Sequence, residues 1–119
     1  MIKKVYYLAT CSTCKRIIKD LGLTADFELQ NTKEKPINEK QLNKLYAYSG
    51  SYESLLNRRS TLYRDRKLKE QKLTEQDYKN LILEHYSFLK RPIIQINDIY
   101  FIGNSKKTLS EAAAFLEKL

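Results

Sequence analysis

The sequence predicts an α/β fold built on one mixed β-sheet. Residues 5–29 show the order strand, helix, strand, which predicts that the two strands are parallel. Residues 91–102 hold two apolar runs joined by a short polar turn, which predicts an antiparallel hairpin. The segment between these regions has helical periodicity, and a further helix closes the chain. We therefore expect a helical insertion, at about residues 32–89, between the second and third strands.

The N-terminal elements are predicted from short apolar patterns. Val5–Ala9 is rich in aromatic and β-branched residues, which favour a buried strand. Ile17, Ile18 and Leu21 recur at helical spacing, and a glycine follows that can end the helix. Ala25–Leu29 alternates apolar and polar residues, as a half-buried strand does.

The middle of the chain is predicted to be helical. Leu42 and Leu45 form the apolar stripe of a helix that Gly50 ends. A short second helix follows, and a third begins at Thr74, where acidic residues occupy the first turn. Their apolar positions are Leu55 and Leu56 in the second helix, and Tyr78, Leu81, Ile82 and His85 in the third.

The C-terminal elements are a hairpin and a helix. Arg91–Ile96 is predicted to be a strand led by a proline, Asn97–Asp98 the turn, and Ile99–Ile102 the antiparallel returning strand. Asn104 or Ser105 can cap the closing helix. The apolar face of that helix is predicted to carry Leu109, Ala112, Ala113, Leu116 and Leu119.

Length and composition favour one domain over residues 1–119. A hydrophobic content of 42% can supply a single modest core. The N-terminal apolar run is too short and too rich in tyrosine for a signal peptide, and no run approaches the length of a membrane span. We therefore expect a cytoplasmic protein with no membrane partner. In that reducing compartment, a Cys-x-x-Cys pair is more often catalytic or sensing than structural.

Positive charge is concentrated in the segment Asn57–Lys72. The chain has a formal net charge of +8, and in this segment seven cations outnumber two acids. Such a segment is either a solvated surface or a site for an anionic partner. It matches no nucleic-acid-binding signature, so we expect no direct nucleic-acid partner.

The chemistry of the chain is expected at Cys11–Arg16, between the first strand and the first helix. At a helix start, the unpaired backbone N–H groups and the helix dipole favour a thiolate, and Lys15 and Arg16 add positive charge. We expect Cys11 to be the nucleophile. Cys14, one helical turn further, can attack a mixed disulfide at Cys11 and release the partner.

Two other interpretations of the cysteine pair are less favoured. A structural zinc site needs four Cys or His ligands, whereas this chain has two cysteines and one distant histidine, His85, so we expect no metal. The cysteines could also be inert buried thiols. That alternative does not explain why a strand, a helix and a basic flank surround the pair.

Three segments carry a family resemblance: Cys11–Lys15, Leu55–Tyr63 and Leu89–Ile94. They resemble, in this order, the N-terminal cysteine motif, the central arginine-containing segment and the arginine-proline strand entry of the arsenate reductase (ArsC) and Spx family. The likeness runs nearly from end to end. It implies a thioredoxin-like (glutaredoxin-like) fold with a helical insertion between the second and third strands.

The resemblance also implies roles for individual residues. Cys11 corresponds to the nucleophile of the family, and Arg91 to the arginine that interacts with the thiolate or a bound oxyanion. A guanidinium suits both tasks, because its permanent charge lowers a nearby thiol pKa and its fork of N–H donors binds oxyanions. Pro92 would follow a cis peptide bond beside the cysteines. The candidate substrate-binding residues are Thr10, Ser12, Thr13, Arg58, Arg59 and Pro92.

The sequence departs from the arsenate-reducing members of the family. Asn57 stands where they have a central arginine, and Gly103–Asn104 replaces a basic residue near the end. The resemblance therefore does not carry over a complete arsenate site. Cys14 is a further difference, because single-cysteine members rely on external thiols, whereas Spx-like members and several reductase-like members have the pair.

Two functions follow from these residues, and we favour the first. One is a thiol-dependent oxidoreductase that reduces a disulfide or a small oxyanion such as arsenate through Cys11. Cys14 or glutathione would resolve the intermediate, with glutathione or thioredoxin as candidate partners and no bound cofactor. The alternative is a Spx-like redox sensor that binds RNA polymerase and changes its surface when the Cys11–Cys14 disulfide forms.

Overall fold

A computed structural model describes all residues, 1–119, and contains four strands, five α-helices and three 3₁₀ turns. The strands are β1 (Lys3–Tyr7), β2 (Glu28–Asn31), β3 (Ile93–Ile96) and β4 (Ile99–Ile102). The helices are α1 (Ser12–Asp20), α2 (Glu39–Ser49), α3 (Thr61–Asp65), α4 (Glu75–Glu84) and α5 (Lys106–Glu117). The 3₁₀ turns are Glu53–Leu55, Leu68–Glu70 and Tyr86–Phe88.

The four strands form one mixed sheet in the order β2-β1-β3-β4. β1 pairs in parallel with β2 and antiparallel with β3, so that Val5 lies opposite Leu29 on one side and Ile94 on the other. β3 and β4 form the antiparallel hairpin, with Asn97 at a positive φ of 54° in the turn. The predicted α/β class and both predicted strand directions are therefore correct.

The chain divides into two compact units. The first, called here the sheet unit, consists of Met1–Lys35 and Arg91–Leu119, and the second, called the helical unit, of Pro36–Lys90. The helical unit is therefore inserted between β2 and β3. None of the helices combines the length and apolar character that a membrane span requires.

The core of the sheet unit joins β1 and β3 to the helices α1 and α5. All the side chains of its central cluster are at least 94% buried, and the rings of Phe101 and Phe115 pack nearby at 5.6 Å between centroids. Burial of this apolar surface fixes the end of β1 relative to the start of α1. The cluster consists of Val5, Ile18, Leu23, Ile94, Ile96 and Ala112.

β2 lies further along the chain than the apolar alternation predicts. The strand begins at Glu28, and Ala25 and Asp26 lie before it in a bend. Polar residues are buried here instead, because each has a hydrogen-bond partner: Gln30 Nε2 donates to the Lys35 carbonyl at 2.9 Å, and Thr32 Oγ1 to the Tyr7 carbonyl at 3.2 Å. A hydrophobic pattern does not reveal this strand, because its buried polar groups are stabilised by hydrogen bonds.

The helical unit is delimited by strong capping signals. Asn38 and Thr74 each form a reciprocal capping box, with Gln41 and Asp77 respectively. Gly50 ends α2 in the left-handed conformation, at φ 76°, as expected for a C-terminal glycine. The fully buried apolar side chains of this unit include Leu42, Leu45, Leu55, Leu56, Ile82 and Phe88.

Three predicted helical positions lie outside helices. His85 is extended beyond α4, where its Nδ1 accepts the Ser87 N–H at 3.1 Å and caps the turn Tyr86–Phe88, so its placement on the apolar face of that helix is wrong. Leu56 immediately follows the turn Glu53–Leu55 and bridges to Leu89. Leu119 follows the end of α5 and is 53% exposed.

Candidate active site

Cys11 is the N-cap residue of α1, and its side chain is half-buried. Its backbone is tied on both sides, because its N–H donates to the Leu8 carbonyl at 2.9 Å and its carbonyl accepts the Lys15 N–H at 3.2 Å. No side-chain oxygen caps this helix, so its first-turn N–H groups are available to the sulfur. The thiol therefore occupies the position at which a helix stabilises an anion.

The surroundings of Cys11 favour its thiolate. Burial by itself raises the pKa of this thiol, but hydrogen bonds from the backbone N–H and the thiol of Cys14 lower it. A hydrogen bond and the positive charge of Arg91 lower it further, and the net pKa of Cys11 is below its ordinary value. Lys15 and Arg16, which the sequence suggested as sources of charge, are exposed to water that screens them.

Cys14 is fully buried in the first turn of α1. Its pKa is raised to about 11, mainly by burial and also by the hydrogen bond with Cys11 and the negative charge of the Cys11 thiolate. Cys14 therefore keeps its proton at neutral pH and donates a hydrogen bond to the Cys11 sulfur. The roles of nucleophile for Cys11 and of resolving thiol for Cys14, which the spacing suggests, remain predictions.

Arg91 is placed beside Cys11 by the strand entry that the sequence singled out. The Arg91–Pro92 peptide bond is cis, and the Pro92 carbonyl accepts the Gly103 N–H at 2.9 Å. Nε and Nη1 of the guanidinium are buried and have no hydrogen-bond partner. Since buried donors are nearly always paired, these two nitrogens are an exception that calls for a functional explanation.

The loop before α1 is anchored by Asn31, a residue that sequence reasoning missed. Its Oδ1 accepts the Ala9 N–H at 3.2 Å, while the Thr32 N–H donates to the Tyr7 carbonyl at 2.9 Å. The end of β2 therefore holds the chain two residues before Cys11. The only signal in the sequence is a polar, turn-forming residue next to a strand, which is too common to identify a site.

The other loop residues predicted to bind substrate are the chain neighbours of Cys11. Thr10 and Ser12 are exposed on either side of Cys11, and Thr13 is half-buried in the first turn of α1. They are placed where a substrate at the sulfur would approach. Their role in substrate binding remains a prediction.

Arg58 and Arg59 belong to the helical unit, and both are exposed. Arg58 Nη2 pairs with Glu53 Oε2 at 2.7 Å, and a hydrogen bond with Tyr63 raises the pKa of Arg58 further. Asn57 stands at the position of the central family arginine. Its Nδ2 donates a hydrogen bond to the Ser87 carbonyl at 3.1 Å, so this side chain has a structural role. Substrate binding by Arg58 or Arg59 remains a prediction.

No group of three or more His, Cys, Asp or Glu side chains is arranged to hold a metal ion. Cys11 and Cys14 are both free thiols. The site combines a half-buried thiol with a lowered pKa, a fully buried thiol with a raised pKa, and the guanidinium of Arg91.

The sheet order, the free cysteine pair at the start of α1 and the cis-proline at the entry to β3 define a thioredoxin-like fold. Within this class, the ArsC family model matches residues 6–112, and the chain belongs to the ArsC family. The family assignment thus covers nearly the whole chain, including Cys11, Cys14 and Arg91.

Solved structures agree with this fold. A protein from Bacteroides fragilis has a TM-score of 0.79 at 18% identity, covering 93% of this chain and 98% of that one. Arsenate reductase from Vibrio cholerae has a TM-score of 0.77 at 19% identity, covering 93% and 97%. An arsenate reductase (ArsC) related protein from Brucella melitensis has a TM-score of 0.67 at 21% identity, covering 93% of both chains. No curated protein matches the chain at a significant level.

Proposed function

We propose that the protein is a thiol-dependent oxidoreductase that reduces a disulfide, with Cys11 as the nucleophile. One observation carries the proposal: the half-buried Cys11, with its pKa lowered, lies beside an arginine that has two buried, unpartnered nitrogens. A thiolate is the attacking species in disulfide exchange, and unpartnered N–H donors can hold an acceptor on the substrate.

The first step is attack by the Cys11 thiolate on one sulfur of the substrate disulfide. The S–S bond of the substrate breaks, a bond forms between Cys11 and one half, and the other half leaves as a thiolate that takes a proton from water. Arg91 stabilises the attacking thiolate before the reaction and can orient the substrate through its free donors. The enzyme is then held as a mixed disulfide.

The second step uses Cys14. While Cys11 is a thiolate, its charge and its hydrogen bond with Cys14 both raise the pKa of Cys14. Formation of the mixed disulfide removes that negative charge, so the pKa of Cys14 falls and a larger fraction of Cys14 is thiolate. Cys14 then attacks the Cys11 sulfur and releases the second half of the substrate as a thiol.

The catalytic cycle leaves the substrate reduced by two electrons and the protein oxidised to a Cys11–Cys14 disulfide. An external thiol, glutathione or thioredoxin, must then return two electrons to the pair. Glutathione can also resolve the mixed disulfide directly, in which case the Cys11–Cys14 disulfide does not form. Neither route needs a bound cofactor.

A small oxyanion such as arsenate is a second candidate substrate. The two unpartnered nitrogens of Arg91 favour it, because a guanidinium fork binds tetrahedral oxyanions. The Cys11 thiolate would displace water from the protonated oxyanion, and a second thiol would attack the Cys11 sulfur. That attack leaves a disulfide and arsenic reduced by two electrons. Asn57 weighs against this substrate, because it stands where the arsenate-reducing members have an arginine and its amide is hydrogen-bonded to the Ser87 carbonyl.

A coupled assay tests the proposal. Reduced protein is mixed with glutathione, glutathione reductase and NADPH, and oxidation of NADPH is followed with a glutathione mixed disulfide or with arsenate. We expect turnover with the mixed disulfide, loss of turnover in Cys11→Ser, and retained turnover in Cys14→Ser if glutathione resolves the intermediate. A parallel assay replaces glutathione with thioredoxin and thioredoxin reductase.

Absence of turnover in both assays would contradict an enzymatic role. The Spx-like alternative would then gain support if oxidation of the cysteine pair changed the affinity for purified RNA polymerase. The double variant Cys11→Ser/Cys14→Ser is the control for that measurement, because it cannot form the disulfide.

A further inference from the structure

The helical unit contains a cavity formed by α3 and the residues on either side of it. Its volume is about 390 Å³, within the range of small-molecule sites. The residues that line it come from one short stretch of chain, 58–70. They are Arg58, Arg59, Ser60, Tyr63, Arg64, Lys67, Lys69 and Glu70.

The cavity is strongly positive, with five cationic side chains and one carboxylate in its lining. Arg58 is paired with Glu53, and Arg64 lies 3.8 Å from its neighbour Asp65, where both side chains are exposed. The other three cations, Arg59, Lys67 and Lys69, have no carboxylate within 4.0 Å. All five cationic side chains are exposed, so water weakens their mutual repulsion, but an anion with several charges would gain from all of them at once.

The backbone holds these cations together. Lys67 has a positive φ of 52°, which is uncommon for a lysine, and its N–H donates to the Arg64 carbonyl at 3.0 Å. Gln71 Nε2 donates to the Arg66 carbonyl at 3.2 Å and fixes the following turn. Arg66 itself does not line the cavity: it pairs with Glu84 and lies over the ring of Phe88.

We infer that this cavity binds a small organic molecule that carries two or more phosphate groups. Guanidinium forks and ammonium groups are the side chains that proteins use for phosphate. The hydroxyls of Ser60 and Tyr63 already have partners, Ser87 at 2.9 Å and Arg58 respectively, so the cations carry the expected binding. Three unpaired cations match a multivalent anion better than a single carboxylate. The Tyr63 ring gives the cavity an apolar surface for the organic part of the ligand.

A nucleic acid fits the observations less well. Binding to a nucleic-acid backbone calls for a basic stripe along which phosphates are spaced, whereas these cations converge on one concavity. The inference does not depend on the proposed redox function, because neither Cys11 nor Arg91 lines the cavity. The sequence predicts substrate binding by Arg58 and Arg59, and the inferred anion site adds three cations of the same segment, Arg64, Lys67 and Lys69.

Calorimetric titration of the reduced protein tests the inference, with inorganic phosphate, pyrophosphate, tripolyphosphate and ADP as probes in 0.1 M NaCl. We expect tripolyphosphate to bind at least tenfold more tightly than phosphate, because it engages more cations at once. ADP should bind more tightly than inorganic pyrophosphate if the Tyr63 ring contributes. Amide NMR shifts should change most in residues 58–70.

Matched variants separate the cavity from general charge. Lys67→Asn/Lys69→Gln removes two cavity cations and places at 67 a residue that tolerates positive φ. Lys40→Gln/Lys44→Gln removes the same charge from exposed positions on α2 that do not line the cavity. We expect the first variant to bind tripolyphosphate at least tenfold more weakly and the control to change less than twofold.

The exposed residue Arg59 provides a variant that does not disturb the turn, and Arg59→Gln should weaken binding at least threefold. Circular dichroism checks that every variant is folded. Equal losses in the two lysine pairs, absence of binding by all the phosphates, or tighter binding of a 20-nucleotide single strand than of ADP would each overturn the inference.

Discussion

The central prediction concerns the effect of Arg91 on the acidity of Cys11. Arg91→Ala removes both a hydrogen bond and a positive charge that lower the pKa of this thiol. An opposite charge close to a thiol favours its charged form, so the pKa of Cys11 should rise when Arg91 is removed. The thiolate fraction at a pH below the pKa then falls, and we expect alkylation at neutral pH to slow on the order of tenfold.

The assay is thiolate absorbance at 240 nm followed against pH, together with the rate of alkylation by iodoacetamide at neutral pH. Both are measured in a Cys14→Ser background so that a single thiol titrates. Arg16→Gln is the matched control, since it removes the same formal charge from an exposed position of α1 and should leave the titration of Cys11 nearly unchanged.

Stability should change little in Arg91→Ala. Two nitrogens of this guanidinium are buried without partners, so its removal relieves a desolvation cost that offsets the lost contacts. We expect the free energy of unfolding to change by less than about 1 kcal/mol. If the folded variant shows an unchanged titration of Cys11, Arg91 does not tune the nucleophile, and the argument for its place in the site is refuted.

Three further predictions concern the same loop. Iodoacetamide near neutral pH should modify Cys11 well before the fully buried Cys14, and peptide mass spectrometry showing the reverse order would exchange their roles. The pKa of Cys14 is raised from 9.0 to about 11, so the free energy of unfolding of the reduced protein should fall as the pH rises from 9 to 11. The fall is at most about 2.7 kcal/mol, and a Cys14→Ser variant that shows the same fall by urea unfolding would contradict this origin. Asn31→Ala removes the acceptor for the Ala9 N–H and should cost about 1 kcal/mol in urea unfolding, whereas Asn31→Asp should retain most of the stability.

Much of the sheet unit could be predicted from the sequence, because its signals are local. The helix that follows Cys11 and the hairpin turn at Asn97 each depend on residues within a few positions of one another. In the helical unit, the capping boxes at Asn38 and Thr74 are also formed by residues within four positions of each other. Such features depend mainly on neighbouring residues and little on the rest of the chain.

The errors occur where distant residues decide the local structure. β2 lies at Glu28–Asn31 because polar Gln30 and its neighbours find partners elsewhere in the sheet unit, and no periodic pattern shows such partners. His85 leaves α4 because its ring accepts a hydrogen bond from the next turn instead. In both places a satisfied polar contact replaced the apolar contact that the pattern assumed.

The candidate site was only partly predictable for the same reason. The lowered pKa of Cys11 follows from its place at a helix start, but the source of the positive charge does not. The adjacent Lys15 and Arg16 are exposed, and the effective cation is Arg91, 80 positions away, brought in by the pairing of β1 with β3. Resemblance to a family identified Arg91, whereas physical reasoning from the sequence alone did not.

The insertion of the helical unit between β2 and β3 has a consequence for the newly made chain. Cys11 is synthesised before Pro36–Lys90, whereas Arg91 and the strand that positions it are synthesised after this unit. Until β3 pairs with β1, the thiol lacks its guanidinium and a smaller fraction of it is thiolate. The order of synthesis thus delays full reactivity of Cys11 until the ribosome has added the 80 residues that lead to Arg91, and a fragment that ends at Lys90 should titrate Cys11 closer to the ordinary value of 9.0.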